Sequence, residues 1–152
     1  MLWVIIILTA VLLDQVSKYL ITIFIEYGSQ LPVIKDFFYI TYTRNKGAAW
    51  GILQDGRYFF IGVTIIVSAV LVYMLVKSDN RVLRTSLSMI LGGAAGNFID
   101  RVRVGSVVDF LDFYFGSYNF PTFNVADSFV VVGTFILGYY LMFIYKEETW
   151  KR

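Results

Sequence analysis

Four aspartates in the second half of the chain are the residues best suited to chemistry. They are Asp100, Asp109, Asp112 and Asp127. An ionised carboxylate is costly in hydrocarbon, so in an apolar chain each must lie in a polar cavity, pair with a cation or reach the water interface. Two neighbouring carboxylates can perform general acid and base work on a water molecule. The sequence therefore predicts a carboxylate site, and spacing alone leaves open which residue pairs with Asp127.

The composition places these aspartates in a membrane protein. Of 152 residues, 58% are hydrophobic and 18% aromatic, with a mean hydropathy of +0.68, too apolar for the surface of an ordinary soluble domain. The chain has no Cys and no His, which excludes thiol catalysis, disulfides and the usual His-based triad. The net charge of +2 is small and dispersed, so we expect no nucleic-acid partner.

Four apolar segments are long enough to cross a bilayer as helices. They lie at about 3–25, 58–76, 82–101 and 124–145. The segment 26–57 contains a β-branched and aromatic run, VIKDFFYITYT, which predicts a small sheet, and the aromatic segment 102–123 predicts an interfacial loop. The expected fold is thus an all-α membrane protein with four transmembrane helices, a small extracytoplasmic β-sheet and an interfacial loop, forming one domain over 1–152.

The basic residues predict the orientation of these helices. Their number is equal on the two sides, but those of the 77–84 turn and the C-terminal tail are packed close to the ends of spans. Because the positive-inside bias acts there, we expect both termini in the cytoplasm and the segments 26–57 and 102–123 outside.

Other polar residues have simpler structural explanations. Asp14 and Lys18 share a helix face at i and i+4, as a buried ion pair would, although a catalytic role is open. We expect Asp100 to be a supporting carboxylate at a helix end, paired with Arg101 or Arg103. Asp112, one helical turn beyond Asp109, is expected to be solvated or interfacial.

Five ordered blocks of sequence resemble one known family. The blocks are Asp14–Lys18 (DQVSK), Arg44–Gly51 (RNKGAAWG), Gly92–Arg101 (GGAAGNFIDR), Val107–Phe110 (VVDF) and Phe123–Asp127 (FNVAD). Over nearly its whole length the chain resembles the lipoprotein signal peptidases, or signal peptidase II, which are aspartyl proteases of the bacterial inner membrane. The resemblance implies removal of the signal peptide from prolipoproteins, by cleavage at the outer face immediately before a diacylglyceryl-modified cysteine.

The resemblance also assigns roles to residues. Asp109 and Asp127 match the family's catalytic pair. The positions that match its polar surround are Asn97, Asp100, Arg101 and Asn124. Asn45 and Gly47 to Gly51 match its substrate-facing loop. Asp14 and Lys18 match its positions on the first helix.

The same resemblance gives expectations about partners. They are a diacylglyceryl-modified prolipoprotein as substrate, membrane lipid, and globomycin-like cyclic peptides as inhibitors. Two carboxyl groups that share one proton can serve as base and acid, so we expect no metal or organic cofactor. We also expect the protein to act as a monomer.

Two other classes of protein compete with this interpretation. A Ser–Lys peptidase could pair Lys18 with Ser128 or Ser106, whereas Ser17 diverges from its neighbour Lys18 by about 100° on a helix. A small transporter or channel subunit would line a path with Asp14 and Lys18. Against a transporter, the polar groups gather at one face and no internal repeat is evident.

Overall fold

The computed structural model describes residues 1–47, 53 and 56–145. The helices in these residues are α1 (Leu2–Phe24), α2 (Arg57–Lys77), α3 (Arg81–Val104) and α4 (Val125–Tyr139), which continues into a π-helical turn, Tyr140–Ile144. The strands are β1 (Gln30–Ile34), β2 (Phe38–Asn45), β3 (Val107–Phe115) and β4 (Tyr118–Asn119).

Three of the described helices are long and apolar enough to cross a membrane. They are Leu2–Phe24, Arg57–Lys77 and Val125–Ile144. The outward faces of these helices expose large side chains such as Leu8, Ile66 and Phe135, which are 63%, 67% and 75% accessible. Such apolar faces suit contact with lipid tails, in agreement with the expected membrane protein.

Helix α3 is as long as the others but differs from them in composition. It packs against α1, α2 and α4. Its buried side chains include Ser86, Ser88, Asn97 and Asp100. The helix predicted at 82–101 is therefore present, but its polar residues give it too low a hydropathy to be recognised as a span by composition.

Glycines on α3 allow the neighbouring helices to approach closely. A Cβ at Gly92 would lie 2.6 Å from the Cβ of Ala10 on α1. Gly96 lies between Asp14 of α1 and Ala126 of α4, and a Cβ there would lie 2.5 Å from Asp14 Oδ2. Small residues are needed at both positions, because any side chain would separate α3 from the partners of its polar groups.

The sheet covers one end of the helix bundle, where α1 and α3 end and α2 and α4 begin. We call this the sheet end, and the opposite end, which carries Met1 and the α2–α3 turn, the terminal end. The sheet is antiparallel with the order β1-β2-β3-β4. Its first two strands confirm the sheet predicted within 26–57.

The segment 102–123 differs from the predicted interfacial loop, because it supplies β3 and β4. Gly105 ends α3 in the left-handed region, with φ of 78°, and turns the chain into β3. Along β3, Val108, Phe110 and Asp112 are all buried. Residues at every second position share one face of a strand, but Val107 and Asp109 on the other face are buried as well, so the segment lacks the alternation that predicts a strand.

The strand conformation also corrects the expectation for Asp112. Residues three apart on a strand point to opposite faces, so Asp112 faces away from Asp109. Asp112 is 2% accessible, and Gln30 Nε2 donates to its Oδ2 at 2.8 Å. It is therefore a buried link between β3 and β1 and not a solvated residue.

Backbone pairing brings distant segments together beside Asp109. Thr43 of β2 lies opposite Asp109 of β3, and Asn45 lies opposite Val107. On the other side of β3, the N–H of Leu111 donates to the carbonyl oxygen of Phe123 at 2.8 Å, and the N–H of Phe123 donates to the carbonyl oxygen of Leu111 at 3.1 Å. The next residues, Asn124 onward, are thereby held next to Asp109.

Candidate active site

A buried ammonium group anchors the polar side chains between the helices. Lys18 is 3% accessible, and its Nζ lies 2.8 Å from Asp14 Oδ2, 2.8 Å from Asp100 Oδ2 and 2.9 Å from Asn97 Oδ1. The predicted ion pair between Asp14 and Lys18 is therefore confirmed. Asp14 also ties α1 to α4, because the N–H of Ala126 donates to Asp14 Oδ1 at 2.9 Å.

Asp100 belongs to this ammonium site. It pairs with Lys18 on α1, where the sequence suggested Arg101 or Arg103, because α1 and α3 run parallel and bring the two side chains to the same level. Gln15 Nε2 donates to Asp100 Oδ1 at 3.0 Å and to the carbonyl oxygen of Gly96 at 3.2 Å. Gln15 was not predicted as a site residue, although an amide beside Asp14 in an apolar helix is a signal that could have identified it.

Lys18 fixes the orientation of the Asn97 amide. Because an ammonium group can only donate, the atom of Asn97 that faces Lys18 must be the carbonyl oxygen. The amide NH₂ of Asn97 therefore points the other way, and it donates to Asp127 Oδ1 at 2.7 Å. The charge cluster on α1 and α3 is in this way connected to the first turn of α4.

Asn124 connects Asp127 to Asp109. It is the N-cap of α4: its Oδ1 accepts from the N–H of Asp127 at 2.9 Å, and its own N–H donates to Asp127 Oδ2 at 3.2 Å. This reciprocal capping box directs the Asn124 NH₂ away from the helix. The NH₂ donates to Asp109 Oδ1 at 2.7 Å and to Asn97 Oδ1 at 3.1 Å.

Asn45 holds the second oxygen of Asp109. Its Nδ2 donates to Asp109 Oδ2 at 3.1 Å, while its Oδ1 accepts from the N–H of Gly47 at 2.9 Å. The turn at Gly47 therefore sets which end of the Asn45 amide faces the carboxyl group. Gly51, the last residue predicted for this loop, lies outside the described residues, as do 48–50.

Arg101 is held close to the two aspartates by contacts on two sides. Its Nη2 donates to the carbonyl oxygen of Gly47 at 3.3 Å, and its guanidinium lies 4.9 Å from the ring centroid of Phe60 on α2. A cation stacked on an aromatic ring loses little further freedom when it meets an anion. Phe60 was not identified from the sequence.

Asp109 and Asp127 line one cavity of ≈590 Å³. Its polar wall also contains Asn45, Gly47, Asn97 and Arg101. Its apolar wall is formed by Phe120, Pro121, Phe123 and Val130 to Val132. The cavity thus places two carboxyl groups, at the level where the helices meet the sheet, beside a surface suited to an apolar chain.

The surroundings of Asp109 favour its protonated form. The side chain is 3% accessible, and burial, aided by the negative charge of Asp127, raises the pKa of Asp109 to about 7. The amide hydrogen bonds from Asn45 and Asn124 oppose this rise in pKa because they stabilise the carboxylate. A carboxyl group with a pKa near neutrality exchanges protons readily at physiological pH, as general acid–base chemistry requires.

The geometry does not support a Ser–Lys peptidase. Lys18 Nζ makes its three contacts with two carboxylate oxygens and an amide oxygen, and none of these contacts is to a serine hydroxyl. Ser128, a possible nucleophile, donates its hydroxyl to the carbonyl oxygen of Asn124 at 3.0 Å.

A helix bundle with lipid-facing apolar surfaces, and with two carboxyl groups in a half-apolar cavity, is suited to a membrane enzyme of the hydrolytic type. The model of the family "Signal peptidase (SPase) II" matches residues 6–143. The chain belongs to the signal peptidase II family and is a peptidase.

Individual relatives agree with this membership. The chain is 51% identical over 142 residues to a lipoprotein signal peptidase of Caldanaerobacter subterraneus subsp. tengcongensis, covering 92% of this chain and 95% of the relative. It is 41% identical over 151 residues to one of Symbiobacterium thermophilum, covering 98% and 99%. A bacterial membrane enzyme solved in meso at 2.3 Å matches with a TM-score of 0.87 and 42% identity, over 92% of this chain and 87% of that one.

Proposed function

We propose that this protein is an intramembrane aspartyl endopeptidase that removes signal peptides from diacylglyceryl-modified prolipoproteins, cleaving before the lipidated cysteine. The observation that carries the proposal is the cavity in which Asp109 and Asp127 lie beside an apolar wall. Hydrolysis of a peptide bond needs an activated water and a proton for the leaving nitrogen, and a carboxyl pair with one proton supplies both.

In the proposed reaction one carboxyl group of the Asp109–Asp127 pair acts as the base and the other acts as the acid. The ionised carboxylate takes a proton from a water molecule whose oxygen attacks the scissile carbonyl carbon. The protonated carboxyl group, to which the pKa of Asp109 is suited, then donates its proton to the nitrogen as the C–N bond breaks. The signal peptide leaves with a new carboxyl group, and the cysteine leaves with a new amino group. Arg101 faces the same space and stabilises negative charge on the attacked oxygen.

The supporting residues hold this pair in place. Asn45, Asn97 and Asn124 each have one amide end fixed by another contact, so that the NH₂ of each meets an aspartate oxygen. Lys18, paired with Asp14 and Asp100, fixes Asn97. We assign these residues positioning roles and assign the chemistry to Asp109 and Asp127.

The apolar wall fits the substrate's lipid and its signal helix. Phe120, Pro121 and Val130 to Val132 continue the cavity along the face of α4 that points to lipid, so diacylglyceryl chains need not leave hydrocarbon. A globomycin-like cyclic peptide would occupy the same space. We also propose that the protein acts as a monomer.

We further propose that α3 is a fourth span, that residues 1–152 form one domain, and that both termini are cytoplasmic. The parallel course of α1 and α3 beside two apolar spans supports the fourth crossing, and the exposed basic residues Lys77 and Arg81 at the terminal end support the orientation. The carboxyl pair would then lie at the extracytoplasmic face of a bacterial cell membrane.

One assay tests the proposed reaction and substrate class together. Purified protein in detergent is incubated with a diacylglyceryl-modified prolipoprotein and, separately, with the same precursor bearing an unmodified cysteine. We expect cleavage of the lipidated form only, before the cysteine, because the apolar wall contributes to binding only when the lipid is present. Absence of cleavage of the lipidated form by folded protein would rule out the proposal.

The raised pKa of Asp109 predicts a change in pH dependence for Asn45→Ala. If protonated Asp109 is the acid, kcat/KM falls as pH rises through its pKa, near 7 in the parent protein. Removal of the Asn45 amide takes away a contact that lowers this pKa. The alkaline limb of the profile of kcat/KM against pH should therefore move to higher pH by about half to one unit. Exposed Asn119→Ala is the matched control and should leave the limb in place. A limb that stays fixed or moves to lower pH in Asn45→Ala would contradict the assignment.

A further inference from the structure

A second cavity, of ≈340 Å³, opens at the terminal end of the bundle. Its lining residues come from the start of α1 and from the α2–α3 turn with the start of α3. They are Met1, Leu2, Trp3, Ile6, Asp79, Arg81, Arg84 and Thr85. Its volume lies within the range of about 300–1,000 Å³ that small-molecule sites occupy. Since α1 rises 1.5 Å per residue, the cavity lies roughly 20 Å below the level of Lys18.

Two arginines give this cavity a positive wall. Arg84 lies with its guanidinium 4.2 Å from the ring centroid of Trp3, and its buried Nε has no hydrogen-bond partner among the described residues. The Arg84 side chain is 22% accessible, so its guanidinium can meet an anionic oxygen through its other N–H groups. Arg81 is exposed beside it. Asp79 contacts Arg84 Nη2 at 3.2 Å but is fully exposed, so water screens its charge and leaves the wall cationic.

The other wall of the cavity is apolar and continues along α1. Leu2, Trp3 and Ile6 face the cavity, and the neighbouring side chains of Ile5 and Leu8 are 57% and 63% accessible. Indole rings favour the boundary between headgroups and hydrocarbon. A ligand of this cavity therefore meets cations at one side and an open apolar helix face at the other.

We propose that this cavity binds an anionic phospholipid, with its phosphate between Arg81 and Arg84 and an acyl chain along the exposed face of α1. Basic pockets between transmembrane helices are suited to acidic lipid headgroups, and each basic side chain near an anionic membrane surface adds about 1 kcal/mol of attraction. Thr85 supplies a hydroxyl donor to the headgroup. The site is separate from the carboxylate cavity, which lies at the other end of the bundle.

Lipid binding to delipidated protein tests the proposal. Dioleoyl phosphatidylglycerol, dioleoyl phosphatidylcholine and inorganic phosphate are titrated separately, with bound molecules counted by native mass spectrometry and thermal unfolding followed in parallel. The variant Arg81→Gln/Arg84→Gln is compared with Lys35→Gln/Arg103→Gln, which removes the same charge from exposed positions at the sheet end. If the double variant folds poorly because it lacks the Arg84–Trp3 contact, the single variant Arg81→Gln replaces it in the comparison.

We expect one phosphatidylglycerol to be retained far more tightly than phosphatidylcholine and to raise the unfolding temperature. Removal of Arg81 should weaken retention roughly fivefold, and removal of both arginines about 25-fold, while the Lys35/Arg103 control should bind as the parent does. The proposal is overturned by equal binding of the two lipids, by unchanged retention in the Arg81 variants, or by inorganic phosphate alone giving the full thermal shift, which would define a free-phosphate site.

Discussion

Replacement of either aspartate of the proposed catalytic pair, Asp109→Asn or Asp127→Asn, is expected to abolish measurable turnover while the protein remains folded. An amide has nearly the shape of a carboxyl group but cannot take up or release the shared proton, and loss of acid–base catalysis costs about 10²–10⁴-fold in rate. The double variant should be no worse than either single variant, because residues that act as a unit are not additive. The measurement is cleavage of lipidated prolipoprotein, and binding of the globomycin-like peptide proposed above as a ligand of the cavity is the control for an intact cavity.

Asp112→Asn is the matched control for these variants. Asp112 lies on the same strand as Asp109 and is equally buried, but it faces Gln30 on the other side of the sheet. Its replacement should therefore retain turnover, with at most a moderate loss of stability. Substantial turnover by Asp109→Asn, with a folded but inactive Asp100→Asn, would instead identify Asp100 as the partner of Asp127. Turnover by both the Asp109→Asn and the Asp127→Asn variants, together with an inactive Lys18→Met, would reject the aspartyl mechanism.

The largest expected effect on stability comes from Lys18→Met. Its Nζ is the cation between Asp14 and Asp100, all three residues being almost inaccessible. Removal of one partner from a buried charge cluster leaves uncompensated carboxylates, at a cost of about 3–5 kcal/mol in the free energy of unfolding. For a chain of this size that corresponds to a fall in unfolding temperature on the order of 10 °C, measured by thermal unfolding in detergent.

Two further variants separate the charge effect from the loss of side-chain packing. Exposed Lys77→Met should change the unfolding temperature little. The triple variant Lys18→Met/Asp14→Asn/Asp100→Asn removes the whole cluster of charges and should recover much of the stability, because no buried carboxylate then lacks a cation. A Lys18→Met protein as stable as the parent, or a triple variant no better than the single one, would contradict this account of the cluster.

The sequence predicted α1, α2 and α4 well because apolar length is a local property, and it also located the less apolar α3. The same holds for the Asp14–Lys18 pair, whose i, i+4 spacing is sufficient to bring the two groups together. The partner of Asp100 could not be derived in this way, since it depends on α1 and α3 lying parallel and in register. The adjacent Arg101 was the obvious candidate along the chain, but its guanidinium is directed to Gly47 and Phe60.

The strands were predicted less well than the helices, for a related reason. Residues 33–43 contain the β-branched and aromatic pattern typical of strands, whereas β3 combines two aspartates with aromatic residues beside the membrane and therefore resembled a loop. The error affected Asp112 directly, because helical spacing puts it near Asp109 and strand spacing puts it on the other face. The asparagines were proposed from family motifs, and only the structure shows which end of each amide meets which carboxyl group.

The composition of α3 has a consequence for how the protein is made. A segment that carries Asn97, Asp100 and Arg101 partitions poorly from the translocation channel into lipid by itself, since charged residues oppose insertion. The counter-charge for Asp100 is Lys18 of α1, which is synthesised before α3. If α3 is the fourth span proposed above, we therefore expect ordered biogenesis: α1 enters the bilayer before α3, and α3 becomes a stable span only after Lys18 has paired with Asp100. In a truncated protein that lacks α1, α3 should pass into the aqueous phase and not insert into the bilayer.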